Sequence, residues 1–206
     1  MRIGCHAVLY GPRLAEETDK VFEQIKATGF EGAEVGIRFM QAPGAVDNVI
    51  STAAKYGVEI SSIHLGGNTL MTFVDDPAAA EANVRKAIEI AKELKYKNIA
   101  MSCGPFESFQ KRIFDERLKD AEFVKAIVLK MNELAQLAKN EGVSLNYHNH
   151  SWEFENDALI FNSTLEYAPD MNFAFDAGWA YFSGYDPIKI ISENPERFRY
   201  VHIRDY

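Results

Sequence analysis

The chain has 206 residues, 47% of them hydrophobic and 25% charged, with a formal net charge of -8. That is enough material for one sizeable soluble core, and an acidic chain without a run of Lys and Arg argues against a nucleic-acid surface, since binding a phosphate backbone needs those cations clustered. No apolar run approaches membrane-spanning length, and the start, Met1-Arg-Ile-Gly-Cys-His, lacks the pattern and cleavage site of a signal peptide, so the expectation is a cytoplasmic protein with no membrane partner.

Residues 2–10 form an apolar run that predicts a first strand. Residues 14–28 follow, with Leu14, Val21, Phe22 and Ile25 at helical spacing and Gly29 as the stop. Residues 32–37 predict the second strand. Residues 45–56 predict a helix with Val46, Val49, Ile50 and Ala53 inside and Gly57 after its end. Residues 58–65 predict the third strand. Residues 77–94 carry Val84, Ala87, Ile88, Ala91 and Leu94 on one helical face, and residues 98–102 predict the fourth strand. Residues 104–117 read as a long connection holding Phe106, Phe109 and Phe114, either a lid or a loop tucked onto the core. Residues 121–139 predict the strongest helix, ended by Gly142. The fifth strand is predicted over 143–150, a short irregular or helical crossover over 157–166, and the sixth strand over 171–175, ending at Asp176. Residues 187–194 predict a short helix with Pro187 at its start, and residues 198–204 predict the seventh strand. Cys5 and Cys103 lie in apolar, strand-like runs and read as small buried hydrophobes rather than a disulfide.

Unbroken alternation of strand and helix predicts one α/β domain, residues 1–206, with a parallel sheet. An open doubly wound sheet and a closed (β/α)8 TIM barrel both fit. The first strand–helix junction, Tyr10-Gly-Pro-Arg-Leu, lacks a Gly-x-Gly-x-x-Gly fingerprint, and seven similar strands favour the barrel, apparently truncated after the seventh strand.

Chemistry collects near one stretch, Ser144-Leu-Asn-Tyr-His-Asn-His-Ser-Trp-Glu-Phe154. His148 and His150 are two apart, so a strand would point both imidazoles to one side, with Asn149 facing the other way. Glu153 follows where a loop should begin. All five histidines fall on predicted strands, most toward the C-terminal end, where a βα barrel builds its active site. His6 reads as a core or pocket-floor histidine. His64 and Glu34 fit pocket contact and barrel-interior packing equally well, and Trp152 and Phe154 read as packing. His148, His150, Asp176 and His202 are different, because four ionisable groups at the ends of neighbouring strands are costly to bury unpaired. A divalent metal would satisfy them, and so would a hydrogen-bonded network.

Several motifs resemble the xylose isomerase-like TIM barrels, the sugar phosphate isomerases and epimerases. They are Gly29-Phe-Glu-Gly-Ala-Glu-Val35, Ile60-Ser-Ser-Ile-His64, Tyr147-His-Asn-His-Ser-Trp-Glu-Phe154, Phe175-Asp-Ala-Gly-Trp179 with Gly184-Tyr-Asp-Pro187, and Tyr200-Val-His-Ile-Arg-Asp205. The third is similar to a subgroup whose fifth strand reads Tyr-His-Asn-His-x-x-Glu-Phe. The resemblance implies a divalent ion (Mn, Mg, Co or Zn) held by His148, Asp176 and His202. It also implies a sugar or keto-sugar substrate contacted by His64, His150, Trp179 and Arg204, and a base drawn from Glu153, His148 or Glu34. Many relatives have Glu where this chain has His148, and Trp179 replaces a histidine that serves a further metal in the DNA-repair members. The family's eighth strand carries another ligand carboxylate, and 206 residues fall short of the roughly 250 usual for the fold. A fragment, a barrel completed by another chain and an open barrel all fit that shortfall.

The activity this implies is an isomerase or epimerase working through a metal-stabilised enediolate. A keto-sugar lyase or hydratase on the same site is the first alternative. A non-catalytic or incomplete barrel binding sugar or metal is the second. A homo-oligomer is left open.

Overall fold

The computed structural model describes residues 3–106 and 113–204. Phe109 of the long connection and Asp205 of the last motif lie outside the described residues. The chain begins with β1 (Gly4–His6), α1 (Arg13–Glu16), α2 (Thr18–Ala27), β2 (Gly32–Gly36) and α3 (Ala45–Tyr56). It continues with β3 (Glu59–Thr69), α4 (Thr72–Asp75), α5 (Pro77–Glu93), β4 (Asn98–Gly104), α6 (Ala121–Asn140) and β5 (Ser144–Tyr147). The last elements are α7 (Glu155–Tyr167), β6 (Asn172–Asp176), α8 (Ala177–Phe182), α9 (Pro187–Glu193) and β7 (Phe198–His202).

The seven strands form one sheet in strict sequence order, each parallel to the next. Sequential order rules out the doubly wound alternative, which reverses direction at a switch point. The sheet curls until its two ends face each other across the interior. The Ser61 hydroxyl on β3 lies 3.4 Å from the Tyr200 hydroxyl on β7, and the His6 and His202 rings are 4.9 Å apart. The result is a truncated TIM barrel, open between β7 and β1.

Local chemistry explains the helix starts. Asp76 and Asp120 each cap a helix, accepting from Ala79 N at 3.1 Å and Phe123 N at 2.8 Å, and Pro follows the cap at the starts of α5 and α9. Helix and sheet then bury a shared apolar layer. Val21, Phe22 and Ile25 of α2, Val84, Ala87 and Ala91 of α5, and Val128 and Met131 of α6 are wholly or almost wholly buried. A large side chain in that layer contributes about 1.5–3 kcal/mol by leaving water.

Several expected boundaries differ: β3 runs on to Thr69, β4 runs on to Gly104 and β7 stops at His202. β1 stops at His6, and Ala7–Tyr10 form a 3-10 turn, because Gly11 takes φ 58° and its N–H returns to the Val8 carbonyl at 3.0 Å. The helix predicted over 14–28 breaks at Glu17, whose φ is -130°. β5 stops at Tyr147, so His148 and His150 lie beyond it. The crossover after β5, expected to be short and irregular or helical, is α7, with Asn156, Asp157 and Ala158 all at positive φ. Two short helices, α4 and α8, carry too little apolar periodicity to be read from sequence.

Candidate active site

All five histidines of the chain gather at the C-terminal ends of the strands. His6 ends β1 and pairs in register with Glu34 of β2, and His202 ends β7 in register with Asp176 of β6. Ring centroids link His6 to His64 at 5.2 Å, His64 to His148 at 5.5 Å, His148 to His202 at 4.5 Å and His148 to His150 at 4.8 Å.

Beyond β5 the backbone is held from both sides. The His148 N–H continues the ladder by donating to the Met101 carbonyl at 2.8 Å. The Asn149 side chain imitates a strand toward β6: its amide N–H donates to the Asp176 carbonyl at 3.1 Å, and its oxygen accepts from the Asp176 N–H at 2.9 Å. Asn149 therefore faces sideways into the sheet plane, away from the imidazoles. Then Glu153 closes the turn. One oxygen accepts from the Tyr147 hydroxyl and the other from the His150 N–H, both at 2.6 Å. Glu153 is completely buried. Burial drives its carboxyl pKa up to about 7 against these two hydrogen bonds, which pull it down. Glu153 lies just past the strand, as the sequence suggests, but its side chain is turned inside, bracing the turn.

Glu34 is also completely buried, at the centre of three imidazoles. His64 Nδ1 lies 3.0 Å from one oxygen, and His202 Nε2 lies 3.2 Å from the other. His6 Nδ1 is 2.6 Å from the first oxygen, but it makes no aligned hydrogen bond, so it acts as a close electrostatic contact. Burial raises the Glu34 pKa; the contacts from His202, His6 and His64 outweigh it and hold the carboxyl well below the usual range. The second His64 nitrogen bonds the Ser102 hydroxyl at 2.9 Å. Both nitrogens of this expected substrate contact are thus engaged by protein.

His148, Asp176 and His202 come together as expected for a metal site, each offering a ligand atom within 4.8 Å of the others. Their surroundings fit a cation. His148 Nδ1 lies 3.3 Å from the Ala174 carbonyl, which makes it the protonated nitrogen and leaves the Nε2 lone pair free. Burial, then repulsion from His202, His150 and His64, lowers its pKa well below the usual imidazole value and keeps it neutral. His202 gives its Nε2–H to Glu34, which leaves Nδ1 as its lone-pair nitrogen. Asp176 Oδ1 caps α8 by accepting from Trp179 N at 2.9 Å. Burial raises the Asp176 pKa, while the Trp179 N–H and His202 offset part of that. A second group, His6, Glu34 and His202, also lies within 4.8 Å, but both Glu34 oxygens are already met by imidazoles.

The remaining expected contacts line the mouth. The His150 ring stacks on Trp152 at 4.1 Å and lies 6.0 Å from Trp179, and its Nδ1 is buried without a partner. Burial, then the charges of His64, Arg204 and His202, lowers the His150 pKa to about 3. The Arg204 guanidinium sits 4.5 Å over the Trp179 ring and 3.9 Å from Asp176 Oδ2. Sequence reasoning missed Tyr147, Ser102 and the Ala174 carbonyl. Only Tyr147 carried a signal, as a hydroxyl within the Tyr-His-Asn-His motif.

Comparison with known proteins agrees with the barrel architecture. A model described as "Xylose isomerase-like TIM barrel" matches residues 22–206. The chain belongs to that family. An inosose dehydratase of Geobacillus kaustophilus is 24% identical over 198 residues, covering 91% of this chain and 61% of the relative. The chain thus spans about three fifths of that relative's length. A sugar phosphate isomerase/epimerase from Parabacteroides distasonis superposes with a TM-score of 0.79 at 20% identity, covering 99% of this chain and 75% of that one. A D-psicose 3-epimerase from Clostridium cellulolyticum, crystallised with D-tagatose, gives 0.76 at 14% identity over 100% and 73%. At those identities the two structures establish the fold. Both thiols, Cys5 and Cys103, are free, and among the described residues no helix is long and apolar enough to cross a membrane.

Proposed function

We propose that this chain carries the site of a divalent-metal-dependent isomerase or epimerase acting on a sugar or keto-sugar. The convergence of His148, Asp176 and His202 carries the reading, since it supplies two imidazoles and a carboxylate at one point. Those three residues would hold the ion. When bound, a divalent cation there polarises a carbonyl and its neighbouring hydroxyl, which acidifies the adjacent C–H.

In this reading His150 accepts the proton and returns it to the neighbouring carbon or to the other face. Its Nδ1 has no protein partner, and its ring is fixed by the stack on Trp152. The burial that keeps this imidazole neutral also makes it a weak base, so it suits only a C–H already acidified beside the ion. Glu34 and Glu153 position rather than touch substrate: Glu34 orients His202, and Glu153 fixes the turn that carries His148 and His150. Arg204 and Trp179 form one wall, offering a cation and an aromatic face to substrate hydroxyls and ring C–H groups.

A second reading is elimination of a β-hydroxyl, a dehydratase reaction. The inosose dehydratases among the sequence relatives favour it. Both readings begin with the same proton removal. One experiment therefore tests both: incubate the metal-loaded protein with keto-sugars and keto-polyols in D2O and follow the α-proton by NMR. Exchange without loss of a hydroxyl supports the isomerase or epimerase; an unsaturated product supports the dehydratase. Exchange that persists in Asp176→Asn removes the metal site from the reaction.

A further inference from the structure

The donor set around the cation position holds two nitrogens to one oxygen. Of the two buried carboxylates beside it, Glu34 has both oxygens occupied by imidazoles. Asp176 has Oδ1 committed to the Trp179 N–H, and its Oδ2 meets the Arg204 guanidinium only at 3.9 Å. His148 and His202 each present a lone-pair nitrogen whose tautomer is set by a bond on the other side of the ring. Mg2+ takes nearly all oxygen ligands in octahedral geometry, and Mn2+ shares much of that preference; Co2+ and Zn2+ accept imidazole readily.

We infer that His148 is the residue that sets metal identity in this chain, selecting a borderline cation of the Co2+ or Zn2+ kind over Mn2+ and Mg2+. The inference rests on the metal reading above and goes beyond it. His148 is suited to this role by its burial and its fixed tautomer. An oxygen ligand at the same place would turn the set from two nitrogens and one oxygen to one nitrogen and two oxygens, which reverses its softness. Position 148 reaches no substrate in the proposed reaction, so a change there should act through the ion.

The test is a competition at equilibrium. Metal-free protein is dialysed against equal Co2+ and Mn2+, and separately against Zn2+ with about a hundredfold excess of Mg2+. Bound metal is measured by elemental analysis, and the Co2+ visible spectrum reports nitrogen ligation. Zinc outcompetes magnesium at most nitrogen-containing sites, so the change in the Co2+ to Mn2+ ratio on substitution decides the matter. Wild type should hold one equivalent, mostly Co2+, and His148→Glu should shift the ratio toward Mn2+ by about tenfold or more. His148→Gln is the companion variant, with circular dichroism and thermal melts confirming folding of both; it should lose Co2+ without gaining Mn2+. A wild-type site that takes Mn2+ over Co2+, or a ratio that His148→Glu leaves unchanged, overturns the inference while leaving the metal-dependent reading intact. Protein that retains no ion of any kind overturns both.

Discussion

Glu153 gives the sharpest quantitative expectation, because it is a completely buried carboxyl whose pKa is raised from 4.5 to about 7. A carboxyl raised on folding binds more protons in the native than in the unfolded state between those values. Its contribution to stability is therefore fully present below pH 4.5 and is lost as the pH rises toward 7. The size of the loss is about 3 kcal/mol. Glu153→Gln removes the titration and keeps most of the contacts. The amide oxygen accepts from the His150 N–H, and the amide N–H can donate to the Tyr147 oxygen, much as the protonated acid does. Urea unfolding of both proteins from pH 4.5 to 8 should show the variant gaining on wild type by about 3 kcal/mol over that range. Other titrating groups cancel in the difference. A flat difference, or one that favours wild type as the pH rises, would mean that Glu153 ionises without penalty, and the account of it as a buried brace would be wrong.

Glu34→Gln should leave the fold in place but weaken Co2+ or Zn2+ binding by about ten- to a hundredfold, because the partner that orients His202 loses its charge; calorimetric titration showing unchanged affinity would refute this. Asn149→Ala strips the buried Asp176 backbone of two hydrogen bonds and should cost about 2–3 kcal/mol in urea unfolding, with weaker metal binding because Asp176 is no longer fixed. Arg197→Ala removes donors to the Leu165, Ala168 and Met171 carbonyls at 3.0, 2.8 and 2.7 Å. It should destabilise by about 3 kcal/mol while metal affinity stays at the wild-type level, and a parallel loss of affinity would show that β6 and the site are mechanically coupled.

The scaffold was readable because its signals are local. Asp76-Pro77 and Asp186-Pro187 mark helix starts wherever they occur, and the apolar faces of α5 and α6 repeat often enough to fix their type. The site was readable only in part, because the sequence names its residues but not their partners. His148 and His150 were expected to share a side by strand periodicity, yet the strand ends at Tyr147. Their rings still lie 4.8 Å apart, for a different reason: Asn149 stands in for one strand residue, and Glu153 pulls the turn closed. Glu34 shows the opposite limit. Its three imidazole partners, His6, His64 and His202, come from β1, β3 and β7, and no spacing rule links positions so far apart. A lone buried Glu in a strand looks the same in sequence whether it is a base, a ligand or a brace. What separates these roles is the number of its oxygens already taken. At Glu34 and Glu153 both oxygens are met at close range, whereas Asp176 Oδ2 meets only the Arg204 guanidinium at 3.9 Å, so Asp176 is the buried carboxylate best placed to meet an ion.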